Sequence, residues 1–271
     1  MRKLILLFFS FSTWAADPAS IALEQAQSLA TKKNRAQACA VLRRAVELNV
    51  KSRVRLVEQV NLISKVFFTD KGQKAFEAGQ ASFFDNPDLA LTQYRQSLEL
   101  EDDNILVLTS MAKVHLAKQD CEAATSLLQR ARELNPYLGE PALLELRSLI
   151  CAKKLEPVRE KMKSLPSLDK WEENFVQYLS AQESLLQGQP KRALEVLSRV
   201  SEEFPQFPEA YYFMAKAGAE LNKDVEVWQQ KYVSLCKSVS VRERKKYALE
   251  PRLCFAMKEV EDDLSKSAAE I

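Results

Sequence analysis

The side chains equipped for chemistry are few. His115 is the single histidine of the chain, which removes multi-histidine zinc sites and makes any serine or cysteine triad rest on one ring. At the middle of an apolar-periodic helix, that ring reads as packed or half-buried rather than as a base. Five cysteines, at positions 39, 121, 151, 236 and 254, include no Cys-x-x-Cys pair, so neither a zinc ribbon nor a thioredoxin-type redox motif is present. An odd number allows at most two disulfides, and buried free thiols are the alternative. Carboxylates cluster at Glu101-Asp102-Asp103 and Glu261-Asp262-Asp263, where solvated turns and helix caps account for them. The basic run at 242–246 reads as a solvated segment between helices, with contact to anionic lipid or an acidic partner as the sharper alternative. No phosphate loop, GxSxG elbow or HExxH motif occurs. These residues point to no enzyme, no cofactor and no metal.

The elements that must carry them follow from composition. A chain of 271 residues, 46% hydrophobic and 28% charged, has ample material for a packed core. Its 5 glycines leave almost nothing from which to build the turns of sandwiches and barrels, so an all-α fold is expected. Arg2 and Lys3 precede an apolar stretch from Leu4 to Phe11, and Thr13-Trp14-Ala15 offers small residues where a signal peptidase reads. Cleavage after Ala15 is expected. An uncleaved anchor would need roughly 20 apolar residues, and no cysteine at the cut would carry lipid, so the compartment read from the sequence is the bacterial periplasm. Removing residues 1–15 takes two basic and no acidic side chains from totals of 39 and 37. The resulting neutral chain argues against nucleic acid as a partner, and no later apolar run is long enough to span a bilayer.

A repeat organises the rest. Residues 105–138 read as two amphipathic helices separated by Gln119-Asp120 and closed by Asn135-Pro136. Ala112, Ala124 and Ala131 supply small residues where the helices must touch, with Leu128 as the large residue between them. This 34-residue pattern resembles the tetratricopeptide repeat family, whose signature has small residues at the eighth, twentieth and twenty-seventh places, a large apolar residue at the twenty-fourth and proline at the thirty-second. The frame continues with Ala78, Ala90, Tyr94 and Ser97 in residues 71–104, and with Ala181, Ala193, Leu197, Val200 and Pro205 in residues 174–207. Residues 19–52 contribute Ala26, Ala38, Leu42 and Ala45; residues 139–172 are a divergent copy; and residues 208–241 begin well with Tyr211 and Ala215 but place Lys231 where an apolar residue belongs. Residues 53–70 read as an additional helix between repeats, and 242–271 as a C-terminal capping helix. The expected organisation is therefore a signal peptide at 1–15, a first repeat at 16–52, the extra helix, repeats at 71–241 and the cap.

The resemblance implies a right-handed α-solenoid of about six stacked antiparallel helix pairs, with first helices lining a concave groove that holds a protein or peptide. Carried onto this sequence, the ninth place of each repeat reads Gln27, Gly79, Lys113, Arg147, Gln182 and Lys216, and the fifth reads Leu143, Tyr178 and Tyr212 in the later copies. Lys113, Arg147, Tyr178, Gln182, Tyr212 and Lys216 are thus the expected partner-binding residues, suited to an extended peptide with acidic groups. In the same frame Cys121 opens one helix and Cys151 closes the next, while Cys236 and Cys254 flank the junction with the cap; both pairs are expected disulfides, with Cys39 left over. The function expected is a scaffold or adaptor, with a subunit of an envelope enzyme complex or a homo-oligomeric structural protein as alternatives.

Overall fold

Helix boundaries follow local chemistry. Asp17, Thr69, Asn104, Asp120 and Asp169 each accept a hydrogen bond from a backbone N–H of the helix they precede, and Pro18, Pro190 and Pro208 open helices where a missing N–H costs nothing. The computed structural model describes residues 17–48, 51–101, 103–240, 244 and 246–269. Among these it shows fourteen α-helices and no strand: α1 (Pro18–Thr31), α2 (Arg35–Leu48), α3 (Arg53–Lys65), α4 (Asp70–Ser82), α5 (Pro87–Glu101), α6 (Ile105–Ala117), α7 (Cys121–Leu134), α8 (Gly139–Cys151), α9 (Leu155–Met162), α10 (Lys170–Leu186), α11 (Pro190–Glu203), α12 (Pro208–Glu220), α13 (Glu226–Ser238) and α14 (Met257–Ala269). The expected signal segment at 1–15 lies outside the described residues.

Two compact units divide the chain, one ending at Ser64 and the other beginning at Lys65. In the first, α1 and α2 form a hairpin packed through Ala22, Ala26, Ala38 and Leu42. The fully buried Arg35 donates from Nε to the carbonyl of Ile63 at 3.2 Å, which fixes α3 against that hairpin. The helix expected over 53–70 stops at Lys65, because Thr69 caps α4 and the residues between are held elsewhere. The Glu101 carboxylate, 1% exposed, accepts from the N–H groups of Phe68 (2.8 Å) and Thr69 (2.7 Å), so this connection is a built turn.

The second unit is a stack of hairpins, α4–α5 through α12–α13, in which α6, α8, α10 and α12 pack successively side by side. The starts of α5, α7 and α9, at 87, 121 and 155, keep the 34-residue period. Ala112, Ala124, Ala131, Ala181 and Ala193 are all completely buried where helices cross closely. Four first helices share one ending with α1. Lys33, Gln119, Lys153, Gly188 and Asn222 occupy the left-handed region, at φ of 60°, 62°, 57°, 68° and 53°. In each case the next N–H reaches back to the last turn, as from Asp120 to the His115 carbonyl at 2.8 Å and from Lys154 to Leu149 at 2.8 Å. A glycine stands at only one of these five turns. Disulfide Cys121–Cys151, with Cα atoms 5.8 Å apart, staples α7 to α8; Cys236–Cys254, at 5.5 Å, ties α13 to the segment before α14. Cys39 is a buried free thiol, pushed up to about 11 by that burial.

In the C-terminal region, 242–271, the capping helix begins only after Pro251. Helix α14 spans Met257–Ala269, and residues 247–249 and 251–256 run as turns. Pro251 supplies the reason, since its ring blocks a helix through this stretch.

Candidate functional site

Three first helices contribute one residue each to the centre of the inner face: Arg147 from α8, Tyr178 from α10 and Glu209 from α12. None of the three is open to a partner, because the segment 247–256 lies on them. The Glu250 carboxylate accepts from Arg147 Nε at 3.0 Å and Nη2 at 3.3 Å, and from the Tyr178 hydroxyl at 3.0 Å. Its side chain is 1% exposed. Farther along, the Cys254 N–H donates to Glu209 Oε1 at 2.6 Å and the Ala256 N–H to the Tyr232 hydroxyl at 3.1 Å. The apolar side chains of the segment enter the main core: Tyr247 sits 5.0 Å from the Trp171 ring and 5.2 Å from Phe207, and Leu249 and Leu253 join the cluster containing Leu143, Leu146 and Phe175.

Electrostatics follow from this burial. Desolvation works against the Arg147 charge, but the adjacent Glu250 outweighs it and the guanidinium is held more firmly protonated than usual. Burial, with Glu250 beside it, pushes the Tyr178 phenol well up. Burial also raises the Glu209 carboxyl well above the usual carboxylate range, and the Glu250 charge adds to the effect. Arg252 lies at the edge of the segment, 4.0 Å over the Phe255 ring, its charge disfavoured by burial and by Arg147.

The residues expected to receive a partner are therefore distributed differently. Arg147, Tyr178 and Gln182 are buried on α8 and α10, and Tyr212 is buried against Tyr232 and Phe255. The chain's own C-terminal segment covers Arg147, Tyr178 and Tyr212. Lys113 and Arg147 do not share a carboxylate, since Lys113 pairs with Glu140 at the start of α8 and Arg147 with Glu250. Lys216 alone of the six is exposed, its ammonium 4.9 Å over the Tyr212 ring, beside a cleft of about 140 Å³ whose far wall carries Glu259 and Asp263 of α14. Phe84 is half exposed, whereas Phe83 is partly buried.

Glu250 is the residue that the repeat frame missed. The available signal was Tyr247-Ala248-Leu249-Glu250-Pro251-Arg252-Leu253: apolar residues without helical spacing around a proline, which is how a buried irregular segment reads. Of the basic run at 242–246, residues 242, 243 and 245 lie outside the described residues, and Lys246 lies 5.2 Å over the Tyr247 ring.

The His115 ring meets a carboxylate: Nδ1 lies 2.9 Å from Asp120 Oδ2 while Asp120 caps α7. The neighbouring thiol of Cys121 is consumed in its disulfide. Among the described residues, no three His, Cys, Asp or Glu side chains converge as a metal site, and no helix is long and apolar enough to cross a membrane.

Hairpins repeating at 34 residues, joined through buried alanines and closed by a common turn, make the second unit an all-α stack of helix pairs, similar to tetratricopeptide repeats in its period, with a segment of its own chain seated on its first helices. No protein-family model matches the sequence, and no curated protein does. Solved structures similar to it include a tetratricopeptide repeat protein from Parabacteroides merdae ATCC 43184, at 13% identity and a TM-score of 0.48, covering 92% of this chain and 98% of that one. MamA 41-end from Desulfovibrio magneticus RS-1 has 14% identity and a TM-score of 0.46, over 62% of this chain and 95% of the other. A structure of MamA protein has 14% identity and a TM-score of 0.45, over 66% and 96%.

Proposed function

We propose that the chain is an exported, non-enzymatic scaffold or adaptor whose repeats hold a protein or peptide segment along the inner helices. The observation that carries this reading is the seating of residues 247–256: an irregular segment is held there by a buried carboxylate clamp, apolar anchors and satisfied N–H groups, which is how a groove recognises a peptide. Two disulfides support residence in an oxidising compartment, and the sequence of residues 1–15 supports export to the bacterial periplasm. A neutral mature chain favours protein over nucleic acid as partner.

The test is crosslinking and affinity capture of the tagged protein from its own cell envelope, with terminal sequencing of the captured chain. A reproducible protein partner and an N-terminus at Ala16 are expected. Charge reversal at Arg147 would place two carboxylates together in the core, so the surface contribution is probed at Lys113 and Lys216, where K113E with K216E should weaken capture without unfolding. No partner above control at physiological salt would remove the scaffold role, and intact Met1 to Ala15 on the soluble protein would remove the export.

A further inference from the structure

We propose that residues 247–256 are the resident occupant of a peptide-recognition site, and that the same site accepts from another protein a segment of matching chemistry. That segment presents a glutamate with an aromatic residue three positions before it and a leucine three positions after. The proposal rests on the scaffold reading and specifies what the scaffold recognises.

The first argument is the demand the groove makes for a carboxylate. Arg147 is buried on the helix that also carries the core residues Leu143 and Leu146, and Glu250 is the one carboxylate hydrogen-bonded to it, so without Glu250 the buried charge loses its paired anion and keeps only the more distant Glu209. Its two donors, with the Tyr178 hydroxyl, converge on one carboxylate from two successive helices, a geometry that selects a planar anion.

A second argument separates recognition from mere capping. A cap needs only apolar contact, and a buried ion pair generally holds a structure no better than well-packed apolar residues would. What such a pair contributes here is register: it sets Glu250 at one point on the ladder, with Tyr247 on Trp171 and Phe207 on one side and Leu253 on the other.

The third argument is that the resident fits imperfectly. Trp171, whose ring centroid lies 5.0 Å from that of Tyr247, has its buried Nε1 without a hydrogen-bond partner, and so does the second oxygen, Oε2, of the Glu209 carboxylate that accepts from Cys254. A segment with complementary groups at these points gains what the resident forgoes. The resident remains in place because its C-terminal end is tied, by the Cys236–Cys254 bond and by α14 packed on α13, which gives it a local concentration on the order of millimolar or more.

The experiment uses a fluorescent peptide of residues 246–256 carrying C254S, and full-length chains. The oxidised parent chain should show little binding, and a full-length E250A/C254S chain should bind at least about tenfold more tightly. Adding R147M to that chain should cost at least about tenfold. Should E250A/C254S fail to fold, the parent chain reduced with dithiothreitol serves instead, and there the contrast lies in the peptide: binding is lost when the peptide carries E250A. Binding that depends on both Arg147 and the peptide glutamate supports the proposal. Absence of binding to a folded loosened chain, binding indifferent to these two groups, or dimerisation of the loosened chain through its own segment overturns it. Failure here alongside an envelope partner for the parent chain would leave the scaffold reading standing on another surface. Peptide binding without any envelope partner would keep the site and remove the scaffold role.

Discussion

Arg147 and Glu250 lie 103 positions apart and meet through two hydrogen bonds of 3.0 and 3.3 Å, closing the inner face of the repeats with the chain's own C-terminal segment. The pair joins α8 to a turn-rich strap that no repeat unit contains, and the Tyr178 hydroxyl from α10 completes it.

Removing one member of this pair should cost more than removing both. E250A leaves the buried Arg147 charge without its partner and should destabilise the second unit by about 3–5 kcal/mol. R147M with E250L replaces the pair by apolar volume and should recover most of that loss. Urea unfolding of the three chains measures both effects; equal losses in E250A and the double variant would show that the pair carries no coupling.

Stability should rise on mild acidification because of Glu209. Burial and Glu250 raise its folded-state value well above the ordinary 4.5, so the folded state binds the proton more tightly than the unfolded one. The resulting stabilisation is present in full below the unfolded value and is lost as pH rises through the folded value. E209Q retains an oxygen for the Cys254 N–H and cannot ionise. It should therefore melt higher than the parent above neutral pH and converge with it near pH 4, as thermal melts across pH 4 to 9 would reveal. Parallel melting curves for the two chains at every pH would rule out this role.

The disulfides should differ from Cys39 in every thiol assay. Closing loops with sequence separations of 18 and 30, each bond should add about 3 kcal/mol through the unfolded state. C254S should lower the melting temperature and loosen residues 247–256, seen as faster hydrogen exchange at the amides of position 254 and Ala256. Cys39, buried and pushed up to about 11, should resist alkylation until denaturant is added, and mass spectrometry should then find one labelled thiol per oxidised chain.

The shared helix ending predicts opposite signs for two exchanges. Lys153 stands at φ 57° without a glycine, while Gly188 stands at φ 68° with open space around it. K153G should stabilise by up to about 1 kcal/mol, and G188A should destabilise by about 1 kcal/mol, because a Cβ in the left-handed region crowds the following carbonyl. Denaturant midpoints with unchanged slopes would verify both.

The sequence by itself determined the helical hairpins and their 34-residue period, since these depend on interactions within one repeat. Asp120 and Asn104 cap their own helices, Pro190 and Pro208 open theirs, and Ala112, Ala124 and Ala181 are small because a neighbouring helix must approach closely there. Tertiary structure decided what the inner face meets. Lys113, Arg147 and Lys216 occupy equivalent places in the repeat frame, yet one pairs with Glu140, one is buried under Glu250 and one faces solvent over Tyr212. Local periodicity assigns a residue to a face. The partner on that face is set by chain folding back from over 100 residues away, where Pro251 turns the backbone and the Arg147 charge requires a carboxylate.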